Sequence, residues 1–347
     1  MTEESVHSYV QALFRRGVVI VVGSGASNGY GLPGMSALAS YLVGAVPAHL
    51  VDLGNDCQVE WDRIANELKA DAGLEAALGN GSIPGELIDL ITDLITKCIK
   101  ESESAAIASI LGAPEVSTFG RLFGHILKTA PVADVITTNY DRLIEVHAAK
   151  AGVRVDSMFY GHTIGRLDAA LSRAELFRIQ TVAGRPRATS LAPRPHVRLS
   201  KPHGSLDWFT HNDRHFRSDL TVPGSRRIIA PGGNKYRLGY EAPFDAHRTR
   251  ANDAIDKASA LLFVGYGFND DHLQTHLRSR FPQVPAVILS RTLTENARTY
   301  LGLNQTSIGI ESDSNSGGCR VTQGSTVLEL NTPLWDLNHL VKEVLAI

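Results

Sequence analysis

The run Val18-Val19-Ile20-Val21-Val22, followed at once by Gly23-Ser24-Gly25-Ala26-Ser27, constrains this chain more than any other feature. Five consecutive β-branched residues leave no polar face, so they read as a strand covered on both sides, which points to a parallel strand inside an α/β sheet. The glycines supply a sharp turn, and the segment from Met35 to Leu42 reads as the helix that follows. Peptide N–H groups bared at such a turn can approach a pyrophosphate, whose charge a helix N-terminus also favours. On this reading phosphates sit near Gly23, Gly25, Ala26 and Ser27. The third glycine does not fall where G-x-G-x-x-G demands, and no Lys-Ser or Lys-Thr pair follows to make a Walker loop. Taken alone, the loop is equally well a tight strand-to-helix turn.

Two further segments repeat the pattern of an apolar strand ending in polar residues. Val132 to Thr138 closes on Thr137-Thr138-Asn139-Tyr140-Asp141 before a helical pattern through Leu143 and Ile144. Polar side chains at the carboxyl end of a parallel strand are where open α/β sheets hold their ligands, although Asn139 and Asp141 would also serve as helix N-caps. Val197 to Ser200 leads into Lys201-Pro202-His203-Gly204-Ser205. A histidine beside glycine and serine at a strand end is a candidate base, since an ordinary imidazole titrates at about 6.5. With 13 histidines in the chain, a structural, hydrogen-bonded His203 is the plain alternative.

Taken in order, these pieces resemble the sirtuin-like NAD-cleaving superfamily, whose motifs read Gly-x-Gly-x-Ser, Thr-x-Asn-x-Asp and Lys-x-His-Gly. A fourth piece, Ala260-Leu261-Leu262-Phe263-Val264-Gly265-Tyr266-Gly267-Phe268-Asn269-Asp270-Asp271, is similar to the late strand and loop that border adenosine in that family. The resemblance runs from about Val18 to about Arg291. It implies an α/β fold: a Rossmann-like, mostly parallel sheet with helices on both faces and a helical insertion. It also implies roles for particular residues. Asn139 would orient the attacking water or the ribose hydroxyls, and His203 would act as base. Asp141 would contact the nicotinamide amide, Gly265, Tyr266 and Gly267 would border adenosine, and Ser290 would reach the adenosine ribose.

The departures from that family redirect the reading. Deacylating sirtuins carry zinc on two Cys-x-x-Cys pairs, whereas this chain has only Cys57, Cys98 and Cys319, too few and too far apart for a four-thiolate site. No metal site is expected. Pro33 is followed by Gly34 and Met35 where those enzymes carry a phenylalanine-arginine pair. The remaining pattern resembles the bacterial sirtuin-like branch of antiphage defence systems, which hydrolyses NAD+. The resemblance therefore implies NAD+ as a substrate and nicotinamide and ADP-ribose as products. It further implies a homo-oligomer activated by assembly with a partner such as a HerA-type ATPase. An NAD-dependent deacylase or ADP-ribosyltransferase and a catalytically silent NAD- or ADP-ribose-binding scaffold are the competing readings.

Composition limits the remaining possibilities. Lys plus Arg is 34 and Asp plus Glu 36, a net charge of −2, so bulk charge gives no reason to expect nucleic-acid binding. Scattered cysteines, an acidic start at Met1-Thr2-Glu3-Glu4-Ser5 and the lack of a long apolar stretch predict a cytoplasmic protein without a membrane segment. We expect one catalytic domain over residues 1–347, with a helical insertion at 46–113. Within that insertion Leu87, Leu90, Ile91, Leu94 and Ile95 form a stripe that reads as core. The arginine- and proline-rich stretch from Arg173 to Arg194 reads as a surface loop or hairpin. Adjacent Asp270 and Asp271 read as helix-start residues rather than as a metal or acid/base pair.

Overall fold

Val18–Val22 is strand β1, and all five of its residues are buried. Its alternate side chains enter opposite layers, as the twofold strand repeat requires. Val18, Ile20 and Val22 pack with Val6, Val10, Leu13 and Phe14 of the helix Glu3–Phe14. Val19 and Val21 join the opposite core with Ala251, Ala254 and Ile255 of the helix Phe244–Lys257 and with Leu273 and Leu277 of the helix Asp271–Arg280. The computed structural model describes residues 1–14, 17–182, 185–220, 223–232 and 241–347.

The other strands of this sheet are β2 (Val132–Thr137), β3 (Arg154–Asp156), β4 (His196–Ser200), β5 (Ala260–Val264), β6 (Ala286–Ser290), β7 (Ile308–Ser312), β8 (Cys319–Gln323) and β9 (Thr326–Leu330). Their spatial order is β9-β8-β7-β6-β5-β1-β2-β4-β3. Every neighbouring pair from β7 across to β3 is parallel, and β8 and β9 form an antiparallel edge. With helices on both faces, this is the mixed α/β, Rossmann-like arrangement expected from the sequence. The chain leaves β1 toward β2 on one side and later returns to place β5 on the other. β1 therefore marks the point of strand-order reversal, where the loops at the carboxyl ends part and leave a crevice.

The helix expected from Met35 is present, and a shorter helical segment precedes it. A single turn, Ser24–Asn28, begins directly at the strand end, and the helix Met35–Ala45 starts only after Gly31, at φ +83°, and Pro33 have broken the path. Between Val46 and Gly112 the chain is helical in four pieces, with interruptions at Leu53-Gly54, at 70–73 and at 80–84. Trp61, Ile64, Leu87, Ile91, Leu94 and Ile95 form a core of their own that also takes in Tyr140, Leu143, Leu206 and Ile228. That shared core seats the helices against the loops following β2 and β4. Leu90 lies at its margin and is only partly buried.

From β4 the chain passes directly into Gly204–His211, a strand of a separate five-stranded antiparallel sheet. Phe177–Val182 and Arg185–Pro193 pair as an antiparallel hairpin, and Ile179 and Leu191 on it are exposed. The side chains of Arg185 and Arg187, like that of Asp271, lie outside the described residues. The polar turn after Ser312 joins β7 to β8, and the chain closes on the helical segment Leu337–Val344. Among the described residues no helix is long and apolar enough to cross a membrane.

Candidate functional site

Four loops meet at the carboxyl edge of β1, β2, β4 and β5. The first follows Gly23, whose extended backbone (φ −108°, ψ −178°) needs no left-handed conformation. The requirement for glycine there comes instead from packing. A Cβ on Gly23 would lie 2.4 Å from the Gly265 carbonyl oxygen, and one on Gly25 would lie 2.9 Å from Gly265 Cα. Gly265 itself sits at φ +58°, and its Cβ would come within 2.3 Å of the Ala26 nitrogen. The two glycine loops are thus closed backbone on backbone. The Gly25 N–H donates to Gly265 O (3.0 Å), and the Ala26 N–H donates to Gly23 O (3.1 Å). The amides of Gly25 and Ala26, expected from the sequence to be bared for phosphate, therefore have backbone partners, the first across the seam and the second within its own loop.

The loop after β2 delivers Asn139 and Asp141 to the first loop. Asn139 Nδ2 donates to Gly23 O at 3.0 Å and to Ser27 Oγ at 2.9 Å. Since a carbonyl can only accept, the amide orientation is fixed and both Nδ2 protons are used, which leaves Oδ1 as the remaining polar atom of the side chain. Ser27 Oγ in turn donates to Asp141 Oδ2 at 2.7 Å, and Asp141 Oδ1 accepts the Leu143 N–H at 3.1 Å. Burial raises the Asp141 carboxyl above its ordinary pKa, and the Lys201 charge and these hydrogen bonds only partly oppose it. Asp141 bonds the first amide of the helix Leu143–Lys150, but the N-cap position of that helix is Arg142, so neither Asn139 nor Asp141 is its N-cap.

Behind this loop stands Lys201, 1 % exposed. Its ammonium donates to Ser205 Oγ (2.9 Å), Tyr140 O (3.4 Å) and Asp141 O, and lies 3.6 Å from Glu145 Oε1. Burial pushes the Glu145 carboxyl up, opposed by Lys201. The Leu206 N–H also donates to Tyr140 O (3.0 Å), and the Tyr140 hydroxyl to Ile229 O (2.6 Å). These contacts fix the Asn139–Asp141 loop to the turn that carries His203. That turn is held by the Ile229 N–H on His203 O at 2.9 Å and passes through Gly204 at φ +88°. His203 Nε2 lies 3.2 Å from Asp270 Oδ2, and each side chain is 8 % exposed.

One cavity of about 150 Å³ is lined by Gly23, Ser27, Asn139, Asp141, His203, Tyr266 and Gly267, together with Glu75, Asp270 and the apolar Leu32, Leu38 and Ile99. A second, of about 670 Å³, lies across the glycine seam and takes Gly25, Ala26, Gly265 and Ser290, with Arg291, Trp335 and Asp336. The structure therefore gathers Asn139, Asp141 and His203 in one place and leaves Ser290 in the neighbouring one. Ser290 Oγ donates to Thr292 O at 2.7 Å. Lys201, Ser205, Glu75 and Asp270 were not assigned roles from sequence. Lys201 and Ser205 belong to the Lys-Pro-His-Gly-Ser segment, and by sequence Asp270 reads with Asp271 as a helix start. Its backbone does begin that helix, with its carbonyl taking the Leu273 N–H at 3.3 Å. Its carboxylate faces His203 instead. Among the described residues no group of three or more His, Cys, Asp or Glu could hold a metal ion.

Residues 133–292 match the family model of the SIR2-like domain. That span holds the Asn139, Asp141, His203, Gly265–Gly267 and Ser290 positions and leaves the Gly23–Ser27 loop outside. Solved Sir2 structures align with the chain at low identity. A mutant Sir2 homologue in complex with ADP-ribose is 12% identical over 100% of this chain and 97% of the other, with a TM-score of 0.47. A Sir2 bound to acetylated peptide is 12% identical over 100% of each chain, with a TM-score of 0.46. No curated protein matches the chain in sequence. Fold and family match together describe an α/β protein, built on a mostly parallel sheet, whose residues 133–292 match the model of the SIR2-like domain.

Proposed function

We propose that this chain is an NAD+ hydrolase, cleaving the bond between nicotinamide and ribose to release nicotinamide and ADP-ribose. The observation that carries the reading is the arrangement of Asn139, with both amide protons committed, and His203 on one largely apolar-walled cavity at the strand-order reversal. Loss of nicotinamide develops positive charge on the ribose and needs a placed water, a proton acceptor and exclusion of bulk solvent. Asn139 Oδ1, the acceptor left over, takes a hydrogen bond from that water or from a ribose hydroxyl. His203 receives the proton, and the Asp141 carboxyl group faces the nicotinamide amide. The dinucleotide extends past the seam between Gly25 and Gly265, so that its adenosine half lies toward Gly265 and Ser290. A ring of like subunits and a HerA-type ATPase partner supply activation, and NAD+ depletion serves antiphage defence in the cytoplasm.

The test is NAD+ consumption with products separated by chromatography, on the purified chain alone and with a HerA-type ATPase added. Nicotinamide and ADP-ribose are expected, and both are lost in Asn139→Ala and in His203→Ala with circular dichroism unchanged. Full turnover in either variant overturns the role given to that residue. NAD+ left intact by the wild type under both conditions overturns the hydrolase reading in favour of a binding scaffold.

A further inference from the structure

The carboxylate of Asp270 is one of three acidic groups in the cavity, with Glu75 and Asp141, and is brought to the imidazole by the fold alone. His203 stands on the turn after β4 and Asp270 on the loop after β5, two strands separated in the sheet by β1 and β2. Their 3.2 Å separation, at 8 % exposure on each side, places the pair out of bulk water. The loop that carries Asp270 is held firmly. Phe268, at φ +58°, buries its ring completely against Phe263, Phe281 and Tyr300. Its carbonyl accepts Gln274 Nε2 at 3.0 Å and Asn296 Nδ2 at 3.2 Å, and Thr294 Oγ1 donates to Gly267 O at 2.8 Å. A left-handed, non-glycine residue anchored this way is costly unless its surroundings over-determine it, and such anchoring is how a side chain is kept in a fixed place.

We propose that Asp270 is the positioning residue of His203, holding one proton on Nε2 and stabilising the imidazolium formed during the reaction. At 3.2 Å the two atoms are within ion-pair distance though not aligned as a hydrogen bond, and a proton shared between Nε2 and Oδ2 is what makes the contact attractive. Carried on Nε2, it leaves Nδ1 as the basic atom. The inference rests on the hydrolase reading for its step. The C1′–N bond breaks with its electron pair going to the nicotinamide nitrogen, which becomes neutral. A water oxygen bonds to C1′, and the water proton passes to Nδ1 and then to solvent. The imidazolium that exists in between lies beside a carboxylate in a dry site, where an opposite charge has its largest effect.

The experiment combines kinetics with imidazole nitrogen spectra. In ¹⁵N-histidine-labelled protein, the His203 resonances are assigned by their loss in His203→Gln. The wild type is expected to show the proton on Nε2, and Asp270→Asn, which can donate to that nitrogen, is expected to move it to Nδ1. With NAD+ as substrate, Asp270→Asn lowers kcat about 10²-fold, the scale of a positioned base, with KM held within about twofold. Asp270→Glu restores part of the rate. A wild-type His203 protonated on Nδ1, or a kcat in Asp270→Asn within threefold of an active wild type, overturns the proposal. A wild type inert toward NAD+ overturns the hydrolase reading, while the spectra still decide the Asp270 assignment by themselves.

Discussion

Replacing Lys201 by methionine keeps the length of the side chain and removes only the buried cation. In the folded chain that cation serves two backbone carbonyls, those of Tyr140 and Asp141, the Ser205 hydroxyl, and the Glu145 carboxylate 3.6 Å away. Glu145 Oε2 has no hydrogen-bond partner among the described residues, so Lys201 carries most of the compensation for that charge. Removing one member of a buried ion pair costs about 3–5 kcal/mol. Unfolding entropy of about 2.1 cal/mol/K per residue makes each kcal/mol worth about 1.4 °C in a chain of 347 residues, so Tm should fall by about 4–7 °C. The pH dependence identifies the cause. Burial already raises Glu145 in the folded state, and loss of Lys201 raises it further. A carboxyl raised on folding contributes least to stability above its folded pKa and recovers as pH falls toward its unfolded value of about 4.3. The deficit of Lys201→Met should therefore be full at pH 8 and smaller at pH 5, and adding Glu145→Gln should recover part of it. Scanning calorimetry at both pH values measures this. A Tm loss below about 1 °C, or a loss equal at both pH values, refutes the reasoning.

Ser27→Ala removes the hydroxyl that accepts from Asn139 and donates to Asp141, so the amide loses one of the two contacts that orient it. A fall in kcat of about tenfold, equivalent to about 1.4 kcal/mol, is expected with KM within about twofold, measured by steady-state NAD+ hydrolysis. Gly265→Ala combines a left-handed φ of +58° with a Cβ 2.3 Å from the Ala26 nitrogen, whereas a Cβ at Gly29 meets nothing nearer than 3.7 Å. Denaturant titration should show at least about 2 kcal/mol lost in Gly265→Ala and about 1 kcal/mol or less changed in Gly29→Ala.

How much of this could be read in advance follows from which interactions are local. Val18–Val22 and Ala260–Val264 announce themselves because a strand buried on both faces must be apolar at every position, and that requirement is written residue by residue; Val132–Thr137, with Asp134 half-buried, carries the same signal less completely. The position of Asn139, Asp141 and His203 at strand ends follows from the same rule, since polar residues directly after such a run have only the carboxyl edge of the sheet to occupy. What the sequence could not convey is which loop touches which. Gly23 and Gly25 look like phosphate-binding glycines in one dimension and Gly265 like one that borders adenosine, yet each lacks a Cβ because another loop's backbone fills the space. Asp270 and Asp271 carry the same helix-start signature, and no local rule tells that the Asp270 carboxylate turns toward an imidazole. Only the sheet order, which sets β5 and β4 on opposite sides of the β1–β2 pair, brings Asp270 to His203. Lys201 is the extreme case. By composition it is a residue expected at the surface, and it is buried because the carbonyls of Tyr140 and Asp141, its own Ser205 and the carboxylate of Glu145 converge on a single point that needs a cation. The polar contacts that hold the candidate site together are therefore long-range in sequence, while the strands that support them are local. That division explains why the architecture and the placement of Asn139, Asp141 and His203 at strand ends were legible and the contacts that orient them were not.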